Sequence, residues 1–421
     1  MYNFDITPKV YRSNEKQRIY VCISEPCERV ELKIQPMESY SIEHTPSYRI
    51  NEGDRYPFIE ATRGEDGIFS LEYDFVGEQK YSVNLKIDGS AVRGERYIFA
   101  AKADILAHKV FKCDTHLHSC RSDGEKTPFA VGIDYRAAGF DFIAITDHHK
   151  MFPSVEAQEQ FEQLTDEFFV LRAEEVHNKS MGYFHIINLG GKKSVNEIIE
   201  ADDGFAEAEV DRRLKNDSYP DGTTPYICAY RNFVSDMIRQ HGGLAVMAHP
   251  FWACYGEYNM PAADVRHLLK SGCYDALELF AGCDMNGNGN NLQLALWQEL
   301  LCDGVKIPVL GASDAHSTRP DDSESLFNLQ FSLIFAKDKG DVLDAIREGR
   351  CVAVSRRSDE DFLVIGSYRL VNYARFMLYE YFPKYTALCR EHAAALESCN
   401  AESIAEAEQA IAKYRNSFYS N

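Results

Sequence analysis

Nine side chains of metal-binding type fall where apolar runs give way to loops. His116 and His118 stand two apart at the end of VFKCDTHLH. Residues i and i+2 share one face of a strand, so both imidazoles point the same way. Asp123 follows in the turn SDG. His148 closes FIAITDHH, Glu175 closes FFVLRAEE, His185 opens FHIINL and His249 closes LAVMAHP. Asp314 and His316, again two apart, follow PVLGASDAH. Six of the 13 histidines are in this set, which a chance scatter of satisfied core histidines does not explain. Mixed imidazole and carboxylate donors suit Zn²⁺, Mn²⁺ or Fe²⁺ better than Mg²⁺ or Ca²⁺, which prefer oxygen shells. A divalent ion so held would lower the pKa of a bound water to about 7.

These residues need a scaffold that brings strand ends to one rim. From Val110 onward, apolar runs alternate with helical stretches, the pattern of an α/β protein. Thr127 caps a helix that has Pro128 in first position and Gly139 past its end. VFKCDTHLH, DFIAIT, FFVLRAEEV, YFHIINLG, GLAVMAHP, DALELFAG and IPVLGASD make seven strands. An eighth run, LQFSLIFA, is expected to leave their barrel. In barrels and open α/β sheets, sites are built at the carboxyl ends of the strands. His185 opens its strand, yet only HNKSMGY separates that strand from Glu175. So short a link requires an antiparallel pair, which returns both residues to one rim.

Three segments are expected. Residues 1–109 alternate apolar and polar residues between turn clusters, as in a small antiparallel β-sandwich. They contain only His44 and the boundary residue His108 among histidines, and no site. A partner surface, a cover for the next domain and plain stabilisation all fit this segment. Residues 110–356 form the metal domain, interrupted at 191–230 by an acidic, weakly periodic insertion. That insertion reads equally as a rim element or a solvated excursion. Residues 357–421 are helical, with aromatics at core-like or dimer-like spacing.

The 421 residues are 45% hydrophobic and 26% charged, ordinary globular values. Acidic residues outnumber basic ones by 65 to 45, a formal charge of -20. That balance argues against holding long duplex nucleic acid through its phosphates. No run is apolar enough to span a membrane, and MYNFDITPKV lacks the pattern of an export signal. Twelve cysteines without CxxC pairs suit free thiols in the cytoplasm. Cys113 and Cys120 flank the site and read better as small hydrophobes than as ligands.

DTHLHSCRSDG, ITDHH, the Glu175 and His185 segments, AHP and SDAH together resemble the motifs of the polymerase and histidinol phosphatase (PHP) superfamily over about residues 110–356. The resemblance implies a distorted seven-stranded (β/α) barrel with a di- or trinuclear site. Its ligands would be His116, His118, Asp123, His148, Glu175, His185, His249, Asp314 and His316. It implies hydrolysis of a phosphate ester by a metal-bridging hydroxide, with Glu175, Asp123 and His249 at the chemistry. The substrate would be a small phosphomonoester, a nucleotide or a short oligonucleotide. The usual Gly-x-Glu here reads Ala173-Glu174-Glu175, which makes Glu174 a rival for the bridging role. Lys150, Arg319 and Arg231 are candidates for gripping phosphate, or ordinary surface charges. Asp147 could support a ligand histidine, His149 could be a further rim residue, and FAGCDMNGNGNN resembles a loop flanking the site. A carboxylic or carbamic esterase or amidase is the main alternative, and a non-catalytic metal-binding module a third. Homodimerisation through the C-terminal helices is compatible with the sequence.

Overall fold

The computed structural model describes residues 4–38, 56–94, 96–177, 185–254, 256–282, 288–319, 321–322, 325–358 and 361–420. His44 lies outside them. By contacts the chain divides into two compact units: residues 1–108 with 372–385 and 409–421, and residues 109–371 with 386–408.

In the first unit, two sheets enclose an apolar core. One is ordered Phe4–Thr7, Lys16–Ile23, Phe69–Asp74, Thr62–Arg63. The other runs Val10–Arg12, Arg96–Ala101, Gln79–Ile87, Val30–Pro36, Ile59–Glu60. Gln79–Ile87 shows the cause plainly, with every second residue buried. Ile19, Val21 and Phe69 meet Leu32, Val83 and Leu85 in the core. Pairing is antiparallel except where Val10–Arg12 lies parallel to Arg96–Ala101. The C-terminal aromatics of this unit are core: Tyr373 and Phe376 pack on Phe99, with ring centroids 5.1 and 5.4 Å away.

The second unit is α/β. Its first sheet is ordered Phe169–Leu171, Phe142–Ile145, Lys109–Leu117, Gln330–Ala336, Cys351–Ser358, Asp361–Ile365. The second is ordered Ala173–Val176, Ile186–Leu189, Leu244–Met247, Ala276–Phe280, Val309–Gly311. The expected closed ladder of seven strands is therefore drawn as two sheets. They meet near the site through single bridges, Leu117 with Ala315 and His148 with Glu175. Asp314 N donates to His116 O at 2.8 Å and Glu175 N to Thr146 O at 3.1 Å.

Three local features differ from expectation. FFVLRAEEV is not one strand: it breaks at Arg172 and changes sheet. Ser154 Oγ donates to Ala173 O and accepts from Ala173 N, each at 2.9 Å, at the break. LQFSLIFA, expected to leave the barrel, lies inside the first of the two sheets. Gln330–Ala336 is fully buried and lies antiparallel between Lys109–Leu117 and Cys351–Ser358. The acidic stretch 191–230 is no solvated excursion. It forms helices Val195–Ala201 and Asp203–Asn216, whose Val195, Ile199, Ala206 and Val210 enter the core. The expected cap is present: Thr127 Oγ1 accepts from Ala130 N at the start of Pro128–Ala137, and Gly139 turns the chain at a φ of 85°. Among the described residues no helix is long and apolar enough to cross a membrane.

Leu32 is fully buried between the sheets of the first unit. Leu32→Ala should cost about 2–5 kcal/mol of stability through the cavity it leaves. Urea unfolding followed by near-ultraviolet circular dichroism measures this, and a midpoint within error of wild type would contradict the packing described.

Candidate metal centre

Glu175 is the hub. Its side chain is buried, and five imidazoles approach its two oxygens, His118 Nε2 among them at 3.6 Å from Oε2. His185 Nδ1 lies 2.5 Å from Oε1 and His249 Nε2 3.5 Å. His148 Nδ1 lies 2.8 Å from Oε2 and His116 Nε2 3.5 Å. Despite these approaches, neither oxygen has a hydrogen bond of acceptable alignment, nor do His118 Nδ1, His185 Nδ1 or His249 Nδ1. Buried polar atoms left so are rare in folded proteins. Nitrogen and oxygen lone pairs converging on shared points, without hydrogen-bond alignment, are what cation ligands look like. The donor set thus fits divalent metal ions.

Four overlapping groups have donor atoms within 4.8 Å of one another. They are His116, His118 and Asp314; His116, Glu175 and His249; His118, Asp123, His148 and His316; and His148, His177 and His185. All nine expected ligands thus fall in one cluster. His118 Nε2 lies 3.0 Å from Asp314 Oδ1, and Asp123 Oδ2 lies 3.3 Å from His316 Nε2 and 3.4 Å from His148 Nε2. Asp123 is about half exposed and marks the open side, whereas His116 is fully buried.

The neighbouring carboxylate is spent elsewhere. Glu174 accepts from Asn188 Nδ2 at 2.9 Å, Ser194 Oγ at 2.6 Å, Val195 N at 2.6 Å and Asn196 Nδ2 at 3.0 Å. Successive strand residues face opposite ways, so only Glu175 faces the imidazoles. Asp147 supports a loop instead of a histidine. It accepts from Ser119 N and Ser122 N, each at 3.0 Å, and so shapes the turn that carries Asp123. Asp114, its pKa pushed up to about 6 by burial, accepts from His116 N, Ser313 N and the Tyr135 hydroxyl.

Glu278 was missed by the sequence reading. Its Oε1 lies 2.9 Å from His116 Nδ1, and its Oε2 accepts from His249 N at 3.1 Å. A carboxylate that takes the far ring proton fixes the tautomer and leaves Nε2 free for a metal. The only sequence signal was an acid inside the apolar run DALELF, an expensive place for a charge without a partner. His177 was missed as well.

The backbone is strained at the ligands. His249 and Asp314 take φ of 22° and 52°, which non-glycine residues rarely adopt. Gly282 closes over Asp314: a Cβ there would lie 2.3 Å from the Asp314 Cβ.

Charges inside the cluster hold each other. Burial resists ionising Glu175, but His185, His116 and His148 keep its pKa well below the usual range. Burial likewise opposes a charge on His148, yet Glu175 and Asp123 raise it to about 10. Burial depresses His118 and His185. Metal uptake must displace the proton that His148 holds, so affinity should fall as the pH falls.

The expected phosphate grips lie apart from one another in environment. Lys150 Nζ donates to Arg121 O at 2.7 Å, and exposed Arg319 pairs with Glu125 at 3.0 Å. Both belong to segments that flank the ligands. Arg231 is fully buried and donates through Nη1 to the Tyr274 hydroxyl at 3.0 Å and to His185 O at 3.3 Å. It braces the segment carrying His185, and its burial keeps it from the surface where a substrate would enter. His149 stacks on His177 at 4.8 Å. Cys113 is fully buried and Cys120 is an exposed free thiol; neither joins a donor group. Of the loop FAGCDMNGNGNN, residues 283–287 lie outside the described residues. Trp252 places its ring 5.7 Å from His185 and 5.6 Å from His249.

No protein-family model and no curated protein matches the chain. Solved structures similar to it include a two-domain protein from Bacteroides vulgatus that contains a predicted PHP-like metal-dependent phosphoesterase. Identity is 18% and the TM-score 0.42, over 64% of this chain and 70% of that one. A candidate metal-dependent phosphoesterase from Bifidobacterium adolescentis matches at 18% identity and a TM-score of 0.36, over 56% and 94%. An amidohydrolase from Chromobacterium violaceum, with bound sulfate and no metal, matches at 17% identity and a TM-score of 0.34, over 51% and 89%.

Glu278→Ala should weaken metal binding about 10–100-fold, the usual effect of losing a partner that orients a ligand histidine. Competition with a chromogenic chelator reads this, and unchanged affinity would show that Glu278 does not orient His116.

Proposed function

We propose that the protein is a metal-dependent hydrolase of PHP type that cleaves a phosphate ester. The observation that carries this reading is the single cluster of nine imidazole and carboxylate side chains around Glu175. Structural metal sites are usually closed by four ligands. A cluster of overlapping groups that ends in a half-exposed Asp123 suits several ions and an open position. Two or three divalent ions of Zn, Mn or Fe, when bound, would supply Lewis-acid polarisation of the ester and an activated water.

The residues of the chain divide the remaining work. Glu175 and Asp314 carry the negative charge at the floor, and His116, His118, His185 and His249 surround them. Asp123, His148 and His316 stand at the open side, where the leaving group would depart. Glu175, Asp123 and His249 are the side chains we place nearest the reacting atoms. No separate general base is required. Lys150 and Arg319, on segments next to the ligands, are suited to orient an anionic substrate. The strands that carry the ligands, joined by bridges at Leu117 and His148, support reading the two sheets as a distorted barrel opened along its ladders. The proposed substrate is a small phosphomonoester, a nucleotide or a short oligonucleotide.

A second reading has its own observation. Trp252 lines the site beside His185 and His249, and an apolar wall there suits a neutral carboxylic or carbamic ester or amide. The same metal chemistry serves both substrates, so a panel of phosphate and carboxylic esters assayed with Mn²⁺, Zn²⁺ and Fe²⁺ separates them.

Replacing both His116 and His118 by alanine should reduce phosphate-ester hydrolysis to background while far-ultraviolet circular dichroism stays that of the wild type. Full turnover by the folded double variant would remove the assignment.

A further inference from the structure

The spacing of two ligand pairs recurs a third time. His116 and His118 are two apart, as are Asp314 and His316, and so are Glu175 and His177 at the end of Ala173–Val176. Alternation puts the two members of such a pair on one face. The structure agrees: His177 Nδ1 lies 3.2 Å from His148 Nδ1, and the His177 ring lies 4.6 Å from that of His185 and 4.8 Å from that of His148. His148, His177 and His185 each offer a nitrogen within 4.8 Å of the others.

The position of His177 is built. Its backbone N donates to Asn196 Oδ1 at 3.1 Å. The same asparagine donates to Glu174 Oε2 at 3.0 Å and to Glu175 O at 3.1 Å. One side chain thus fixes the strand end that carries both Glu175 and His177. The His149 ring, stacked at 4.8 Å, limits the rotation of His177.

From this we propose that His177 is a tenth ligand, which completes a cation position with His148 Nδ1 and His185. His148 Nε2 faces Asp123 Oδ2 at 3.4 Å, which leaves Nδ1 as the nitrogen turned toward His177. Three imidazoles favour a late first-row divalent ion such as Zn²⁺ over Mn²⁺. Having few negative ligands of its own and other cations beside it, this position should be the weakest of the cluster.

The inference rests on the metal-centre reading above, and one experiment separates their failures. The full chain is stripped with chelator, reloaded with Zn²⁺ and desalted, and its zinc is counted by mass spectrometry. Crystals of the reloaded protein are measured at the zinc edge. His177→Ala should hold one zinc equivalent fewer than wild type and lose only the anomalous peak beside residue 177. His177→Cys, which restores a soft ligand, should recover that equivalent. Equal zinc counts in wild type and His177→Ala, with no peak beside His177 in wild type, would overturn this inference and leave the rest of the centre standing. Wild type that takes up no zinc, manganese or iron would overturn the centre itself. Should His177→Ala fail to fold, the wild-type anomalous map decides alone, by whether an ion lies within bonding distance of His177.

Discussion

Two adjacent carboxylates, both buried, govern the arrangement of the metal unit. Burying a charge is costly unless it is fully paired, and Glu174 and Glu175 meet that demand in opposite ways. Glu174 turns to amides, a hydroxyl and a backbone N–H, all supplied by Asn188 and residues 194–196. Glu175 turns to imidazoles that do not bond it squarely. The pleat of one short strand enforces the division. It also explains the break at Arg172: a strand continuing in the first sheet would not carry Glu175 to the histidines of the second.

The surrounding parts hold ligands in conformations they would not choose alone. Positive φ at His249 and Asp314 stores strain, and the structure over-determines those positions. Glu278 holds the His249 backbone and the His116 ring together. Asp114 ties the strand before His116 to Ser313 beside Asp314. Gly282 leaves the space that Asp314 occupies. Acids placed behind the ligands thus act as fixed hydrogen-bond acceptors. Much of the acidity of this chain near the site serves geometry before it serves charge.

The acidic segment after Gly191 illustrates the same economy. By composition it reads equally as a rim element or a solvated excursion. Yet its first turn supplies the donors for Glu174, and its apolar residues recur at helical spacing into the core. An insertion in sequence is, in three dimensions, part of the wall that aligns the central carboxylate.

Much was legible in the sequence because the ligand types, their two-residue spacing and their places at strand ends are local properties. So were the alternation of the first unit, the capped helix after Thr127 and the antiparallel return that brings His185 back to Glu175. Long-range pairing decided the rest. Gln330–Ala336 went to the middle of a sheet because its seven buried residues needed partners on both edges. Arg231 went into the core because the aromatic and backbone acceptors that receive it lie far along the chain. Glu278 joined the site because strands distant in sequence lie side by side. A residue's type and periodicity announce what it can do; only the packing of separate segments sets which lone pairs end up facing one another.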